Sequence, residues 1–149
     1  MKGLIQRVSE ASVTVNKQRL GAIGNGLLLL LGVERGDVDR HARDLCRKIL
    51  TYRVFPDDQG RMNRSLLDIG GELLVVPQFT LAADTTSGTR PGFSGAAAPD
   101  LAETLYRSFV SYAQAELGPA LVAEGQFGAD MKVQLINDGP VTFLLEVNG

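Results

Sequence analysis

The sequence has little of what common catalytic sites are built from. Its 149 residues include one histidine and one cysteine. A single cysteine excludes an internal disulfide framework, so a reducing compartment is expected. The longest apolar run, Leu27–Leu31, is far too short to span a membrane, and the first residues lack the apolar stretch of a signal peptide. These absences predict a cytoplasmic protein with no membrane partner.

The chain also lacks an excess of positive charge. Its net charge at pH 7 is −2, whereas a protein that grips many phosphates is usually basic. The cations are mostly arginines, eleven against four lysines, and arginine suits phosphate and carboxylate partners. Arg40, Arg43 and Arg47 share a predicted helix face, for which simple solvation is the favoured interpretation. We therefore expect only a few phosphate contacts and no DNA partner.

What is present is the length and pattern of a single domain covering residues 1–149. Leu4–Val15 is predicted as extended chain, Gly21–Gly26 as a turn and Leu27–Val33 as a buried strand. A helix follows, with Asp37 as its N-cap. Its apolar stripe consists of Val38, Ala42, Leu45, Cys46, Ile49 and Leu50.

The second half of the chain alternates strands, a loop and a helix. Tyr52–Phe55 and Leu73–Val76 are predicted strands. Ala82–Ala98 is irregular, and such a long loop is usually functional or disordered. A second helix begins near Pro99 and stops at Gly118-Pro119. Its predicted buried stripe is Leu101, Leu105, Phe109, Tyr112, Ala113 and Leu117.

The C-terminal segment predicts a β-hairpin. Met131–Leu135 and Val141–Val147 alternate apolar and polar residues on either side of Asn137-Asp138-Gly139, a turn signal. Pro140 is unusual just after such a turn. The order of elements predicts an α+β domain with a largely antiparallel sheet and two flanking helices.

The usual catalytic sets can be excluded one by one. His41 lies on the first predicted helix without chemical partners, and Cys46 falls in that helix's apolar stripe, where cysteine behaves as a small hydrophobe. The pair Asp57-Asp58 fits a turn. No cluster has the spacing of zinc ligands, and no phosphate-binding glycine motif is present. The protein is thus either a non-enzyme or an enzyme that uses backbone groups, hydroxyls and its substrate.

Two short motifs narrow that choice. Pro77-Gln78-Phe79-Thr80-Leu81 resembles the Ser-Gln-Phe-Thr motif of D-aminoacyl-tRNA deacylases, and the segment Asn137-Asp138-Gly139-Pro140-Val141-Thr142 resembles their Asn-X-Gly-Pro-Val-Thr motif. Further similar stretches are Gln6-Arg7-Val8, Gly26–Val33, Arg61-Met62-Asn63, Arg90-Pro91 and Gly125–Ala129. The chain departs from the family pattern at Pro77 and Gly92, where serine is more usual.

The resemblance implies both a fold and an assembly. Family members are homodimers with a barrel-like sheet, flanking helices and active sites at the dimer interface. The Gly139-Pro140 dipeptide resembles a cis element that enters the partner's pocket, which would explain a proline just past the turn. The rival explanation of Pro140 is a simple stiffening of the turn.

The implied activity is hydrolysis of the ester in D-aminoacyl-tRNA at the tRNA acceptor end. L-Aminoacyl groups would be rejected sterically, and glycine, which has no side chain to exclude, would be accepted. No metal or other cofactor is implied.

The resemblance also suggests roles for individual residues. Gln78, Phe79 and Thr80 are the catalytic candidates, with Phe79 equally explained by core packing. For substrate binding and chiral selection the candidates are Arg7, Asn137, Gly139 and Pro140. Arg90 is the candidate for tRNA binding.

Two other functions stay open at this stage. One is hydrolysis of small D-amino-acid esters or amides without tRNA. The other is a non-enzymatic dimeric module that binds RNA or a small ligand, which the missing catalytic set keeps possible.

Overall fold

The computed structural model describes residues Met1–Gly149. The strands are β1 (Lys2–Val15), β2 (Gln18–Ile23), β3 (Gly26–Gly32), β4 (Phe55–Pro56), β5 (Met62–Arg64), β6 (Glu72–Pro77), β7 (Val122–Glu124) and β8 (Lys132–Glu146). The helices are α1 (Asp39–Thr51), α2 (Leu66–Ile69) and α3 (Pro99–Leu117), and short 3₁₀ turns cover Phe79–Ala82 and Pro119–Leu121. None of the helices combines the length and the apolar character needed to cross a bilayer.

Strand β1 organises the sheet. Along one edge it pairs with β8 over almost its full length, and along the other it pairs first with β3 and then with β2, always antiparallel. β6 then adds to β3, and β7 to β6, in parallel. β2 curls back toward β7, and the two strands approach so closely that a Cβ on Gly21 would lie 3.2 Å from the Ala123 Cβ. The predicted α+β, barrel-like fold is confirmed, with a mixed sheet and a third, one-turn helix.

The apolar run in β3 is explained by cores on both sides of the sheet. Leu27, Leu29 and Leu31 join the larger core beneath α1 and α3, while Leu28 joins a smaller core inside the curled sheet. A strand covered on both faces is continuously apolar rather than alternating.

The first helix starts later than its sequence predicts. Val38, not Asp37, is the N-cap, and the Val38 N–H donates to His41 Nδ1 over 2.9 Å. The Asp37 carboxylate instead accepts from the Met1 ammonium at 3.0 Å and from the Glu34 N–H at 2.7 Å. The N-cap prediction was therefore wrong, because the Asp37 carboxylate binds the Met1 ammonium instead of the first amides of the helix.

The buried stripes of both long helices are slightly shifted. In α1, Val38 is 50% exposed and His41 is buried, whereas Ala42 to Leu50 follow the predicted pattern. In α3, Leu101 is exposed, and three residues outside the predicted stripe are buried: Ala102, Tyr106 and Val110. α3 begins at Pro99 and stops before Gly118, as predicted, and Gly118 is its C-cap with φ +98°.

Two local predictions were only partly right, because tertiary contacts override local signals. The turn predicted over Gly21–Gly26 is confined to Gly24-Asn25 between β2 and β3, because Gly21 lies inside β2. Of the predicted strand Tyr52–Phe55, only Phe55 is in a strand, which ends at Pro56. The irregular loop after residue 82 and the turn at Asp57 are found as predicted.

The predicted C-terminal hairpin does not exist. Both of its halves belong to the single strand β8 and pair end to end with the same partner, β1. The turn signal instead marks an interruption of this one ladder. Alternation alone could not distinguish the two arrangements, because each half has the same inward and outward pattern in both.

Candidate active site

The Gln78–Thr80 segment begins where β6 ends. Pro77 is the last residue of β6 and pairs with Leu31 of β3, so its missing N–H falls at a strand end, where proline is tolerated. The Gln78 N–H then donates to the Leu31 carbonyl over 2.8 Å. This bond anchors the 3₁₀ turn Phe79–Ala82 to the sheet, with Leu81 N–H donating to the Gln78 carbonyl.

The side chains of this segment face outward. Phe79 is 61% exposed, so the core-packing explanation of Phe79 is wrong. Its ring lies 5.3 Å from that of Phe93, which is also exposed. Thr80 Oγ1 accepts from Gln78 Nε2 and contacts no histidine or carboxylate. Thr80 thus lacks the adjacent base that activates a hydroxyl nucleophile.

The backbone of the same turn offers donors. The first amides of a helical turn have no acceptor within it, which here applies to Phe79 and Thr80. Amides in this arrangement can stabilise an oxyanion. Beside them an open cleft of about 270 Å³ is lined by Pro77, Gln78 and Phe79 on one side and by residues 128–131 on the other.

The second motif forms a bulge in β8. Asn137 pairs with Val8 and Thr142 pairs with Gln6, so the four residues of Asp138–Val141 lie opposite Arg7 alone. We call Asp138–Val141 the bulge. An excess of residues on one strand must leave the ladder and project from it.

Side chains hold the bulge at both ends. Asn137 Oδ1 accepts from the Val141 N–H and Asn137 Nδ2 donates to Thr142 Oγ1, each over 3.0 Å. Arg7 Nε donates to the Asp138 carbonyl over 2.9 Å, while Arg7 Nη1 donates to the Val54 carbonyl over 2.7 Å. The guanidinium thereby ties the bulge to the chain that leads into β4.

The tip of the bulge requires a glycine. Gly139 has φ +146°, and a Cβ there would lie 2.6 Å from Val141 Cγ2. The Gly139-Pro140 peptide bond is cis, and both residues are exposed.

One copy of the chain does not bring the two motifs together. Arg7, opposite the bulge, is four residues along β1 from Gly3, which pairs with the Leu31 that anchors Gln78. At strand spacings, the bulge is separated from the Gln78–Thr80 segment by about 13 Å along β1 and by about 14 Å across the three steps from β8 to β6. The bulge therefore lies outside the cleft of its own chain.

Arg90 is exposed in the loop that follows the 3₁₀ turn and makes no hydrogen bond with Gln78, Phe79 or Thr80. The residue of this loop that reaches the segment is Phe93, positioned by paired backbone bonds between Asp84 and Gly92 of 2.7 and 2.9 Å. Phe93 lies two residues after Pro91 of the Arg90-Pro91 stretch, but nothing in this spacing predicts the contact.

The excluded catalytic candidates have structural explanations. Burial, together with the charge of Glu116, raises the pKa of the Cys46 thiol to about 12, so this thiol is no nucleophile at neutral pH. His41 contacts Val38 and Asp37, not the site segments. The structure brings together no group of three or more metal-ligating side chains. The Asp57 carboxylate accepts from the N–H groups of Arg61 and Gln59, which lower its pKa in a turn.

Comparison with known proteins agrees with the two motifs. Residues 4–146 match the family model described as D-Tyr-tRNA(Tyr) deacylase. A D-aminoacyl-tRNA deacylase of Marinobacter nauticus is 68% identical over 98% of this chain and 94% of its own length. The deacylase of Herminiimonas arsenicoxydans is 59% identical over 99% of this chain and 97% of its own.

Solved structures give the same fold. One titled c-Myc DNA Unwinding Element Binding Protein has a TM-score of 0.95 and 41% identity, with both chains fully covered. Another, titled a probable eukaryotic D-amino acid tRNA deacylase, has a TM-score of 0.83 at 18% identity over 98% of each chain and supports the fold alone. Since the family match spans nearly the whole sequence and both motifs, the chain belongs to the D-aminoacyl-tRNA deacylase family, whose members hydrolyse the ester bond of aminoacyl-tRNA.

Proposed function

We propose that this protein removes D-amino acids, and glycine, from tRNA in the cytoplasm, and that each active site is completed by two copies of the chain. The observation that carries the proposal is the separation of the bulge from the Gln78–Thr80 segment within one chain. The bulge projects from the sheet and is held in place by side chains, so it is suited to enter the cleft of a second copy. A two-fold symmetric dimer would form two such sites.

Chiral selection would be performed by the bulge. Backbone carbonyls near Gly139 and Pro140 would accept hydrogen bonds from the substrate's ammonium group. The same rigid wall would collide with a side chain in the L direction, whereas a D side chain points away. Arg7 and Asn137 keep this wall in place through their hydrogen bonds to its ends. Glycyl-tRNA passes because glycine has no side chain to exclude.

The chemistry would be shared between the backbone and the RNA. The amides of Phe79 and Thr80 would donate to the oxyanion that forms when water attacks the ester. Gln78 would position the terminal ribose or the ester. Thr80 positions rather than attacks, since its hydroxyl contacts only Gln78. The 2′-hydroxyl beside the scissile ester would orient or activate the water.

One assay separates this function from its rivals. The protein is incubated with matched D- and L-aminoacyl-tRNA, glycyl-tRNA and a free D-amino-acid ester. Release from the D and glycyl forms alone is expected. Equal loss of the L form would overturn chiral selection, turnover of the free ester alone would favour a small-ester hydrolase, and no turnover would favour a binding module.

A second substrate tests the role of the RNA. D-Aminoacyl-tRNA ending in 2′-deoxyadenosine, charged at the 3′ position, should be hydrolysed much more slowly than the normal substrate. Undiminished single-turnover hydrolysis of the deoxy form would contradict substrate assistance.

A further inference from the structure

We propose that the exposed cations between Arg47 and Arg64 bind phosphates at the acceptor end of tRNA. The inference rests on the proposed function, since it takes tRNA as the substrate. The basic strip is defined by five exposed side chains: Arg47, Lys48, Arg53, Arg61 and Arg64.

Positive charge is concentrated in this part of an acidic protein. Residues 47–64 contain five cations and two acids, a net charge of +3, whereas the rest of the chain contains ten cations and fifteen acids. An anionic polymer that approaches the molecule is attracted here and repelled elsewhere. A chain with a net charge of −2 can therefore bind RNA through a few local contacts.

The strip lies beside the bulge. The guanidinium of Arg7 joins the Asp138 carbonyl of the bulge to the Val54 carbonyl next to Arg53. Farther along β8, the Tyr52 ring meets the Phe143 ring edge-on at 5.9 Å, and Lys48 Nζ donates to the Glu146 carbonyl at 3.3 Å. Residues 48–54 therefore lie along β8 from its end to the bulge, and β4 and β5, which pair Phe55 with Arg64, follow directly after them.

The cations of the strip are available to an anion. The guanidinium groups of Arg47 and Arg61 have no acceptor in the chain, and Arg53 donates to the neutral amide of Asn63 over 3.1 Å. Arg64 pairs with Asp58 at 2.8 Å, but both are exposed, and an exposed pair is weak enough to exchange partners. Arginine's planar fork fits phosphate oxygens in pairs.

This placement matches the substrate's geometry in the proposed dimer. If the bulge of one copy enters the cleft of the other, its strip lies beside that cleft, where the nucleotides next to the aminoacyl ester must pass. The strip of one copy would then hold the RNA whose ester lies at the partner's Gln78–Thr80 segment.

The test uses the full-length variant Arg53→Gln/Arg61→Gln and a matched control, Lys17→Gln/Arg19→Gln. The control removes the same charge just beyond the far end of β1, whose last residue, Val15, is eight residues and about 26 Å along the strand from Arg7. Binding of deacylated tRNA is measured by fluorescence anisotropy over a range of salt concentrations. Hydrolysis of D-aminoacyl-adenosine, which lacks the phosphates, is measured in parallel.

We expect the strip variant to bind tRNA roughly tenfold more weakly near physiological salt, with the log–log salt slope reduced by about 1.5. Its hydrolysis of D-aminoacyl-adenosine should be unchanged, and the control should match the wild type in both assays. Equal weakening by both double variants would overturn the proposal, as would a loss of D-aminoacyl-adenosine hydrolysis in the strip variant.

Two further measurements distinguish tRNA from DNA as the ligand of the strip, and a failure of the strip proposal from a failure of the proposed function. A duplex DNA of the acceptor stem's length should bind more weakly than tRNA, and equal affinity would overturn the assignment to tRNA. Strip-dependent tRNA binding without any hydrolysis would support the strip while contradicting the proposed function.

Discussion

The Gln78–Thr80 segment and the bulge are both exposed and both carry family motifs, yet they are held by different kinds of contact. The segment is fixed by its backbone, through the Gln78 N–H on the Leu31 carbonyl and the 3₁₀ turn that follows. The bulge is fixed by two side chains, those of Arg7 and Asn137. Side-chain substitutions at Phe79 and Thr80 should therefore cost little activity unless they alter an amide, whereas the bulge should depend on the side chains that hold its ends.

The largest expected effect comes from removing an amide of the segment. Phe79→Pro keeps the turn, because proline suits the first position of a helical turn and Gln78, with φ −140° and ψ 84°, is outside the helical region. The loss of one oxyanion donor should lower kcat by about 100- to 1000-fold. Phe79→Ala retains the amide and is the control in single-turnover hydrolysis. Equal rates for the two variants would exclude this amide from catalysis.

The next largest effect is expected at the tip of the bulge. In Gly139→Ala the new Cβ meets Val141 Cγ2, which would displace the wall and lower kcat/KM on D-aminoacyl-tRNA by about 100-fold. Gly118→Ala is the matched control, since Gly118 also has a positive φ, of +98°, but nothing within 4 Å of a Cβ. Similar losses of activity in both variants would point to general strain instead of a displaced wall.

A smaller effect is expected from a change at Arg7, which holds one end of the bulge. Arg7→Lys keeps the charge but loses the planar fork, whose Nε and Nη1 reach the Asp138 and Val54 carbonyls separately. We expect kcat/KM for the D substrate to fall about tenfold and the free energy of unfolding to fall by about 2 kcal/mol. Paired D and L assays with a urea titration measure both quantities. If the ratio of D- to L-aminoacyl-tRNA hydrolysis and the activity itself are both unchanged, the bulge does not depend on Arg7 for its position.

The smallest effect is expected at Thr80. Thr80→Ala removes a hydroxyl that contacts only Gln78, so hydrolysis should slow by less than about tenfold. Single-turnover kinetics distinguish a positioning role of Thr80 from nucleophilic attack, because loss of a nucleophile would reduce the rate by orders of magnitude.

The sequence predicted the elements whose local pattern agrees with their packing. β3 and the starts and ends of α3 follow directly from an apolar run, Pro99 and Gly118. It misplaced elements whose partners are distant. Asp37 is recruited by the Met1 ammonium, and Gly21 is required by the approach of β7.

The candidate site was predictable as motifs but not as geometry. The hairpin prediction for residues 131–147 failed because both halves pair with β1, whose 14 residues are long enough to hold them in one line. Phe93 was missed because its contact with Phe79 depends on the course of an irregular loop. The distance between the two motifs could not be read from their order in the chain.

Complementation between two inactive variants tests whether each site takes its segment from one copy and its bulge from another. Phe79→Pro and Gly139→Ala chains with different affinity tags are co-expressed, and the mixed dimer is purified on both tags. One of its two sites would then combine an intact segment with an intact bulge, so hydrolysis of D-aminoacyl-tRNA should recover to about half the wild-type rate per dimer. A mixed dimer as inactive as its two parents would show that the segment and the bulge of different copies do not form one site.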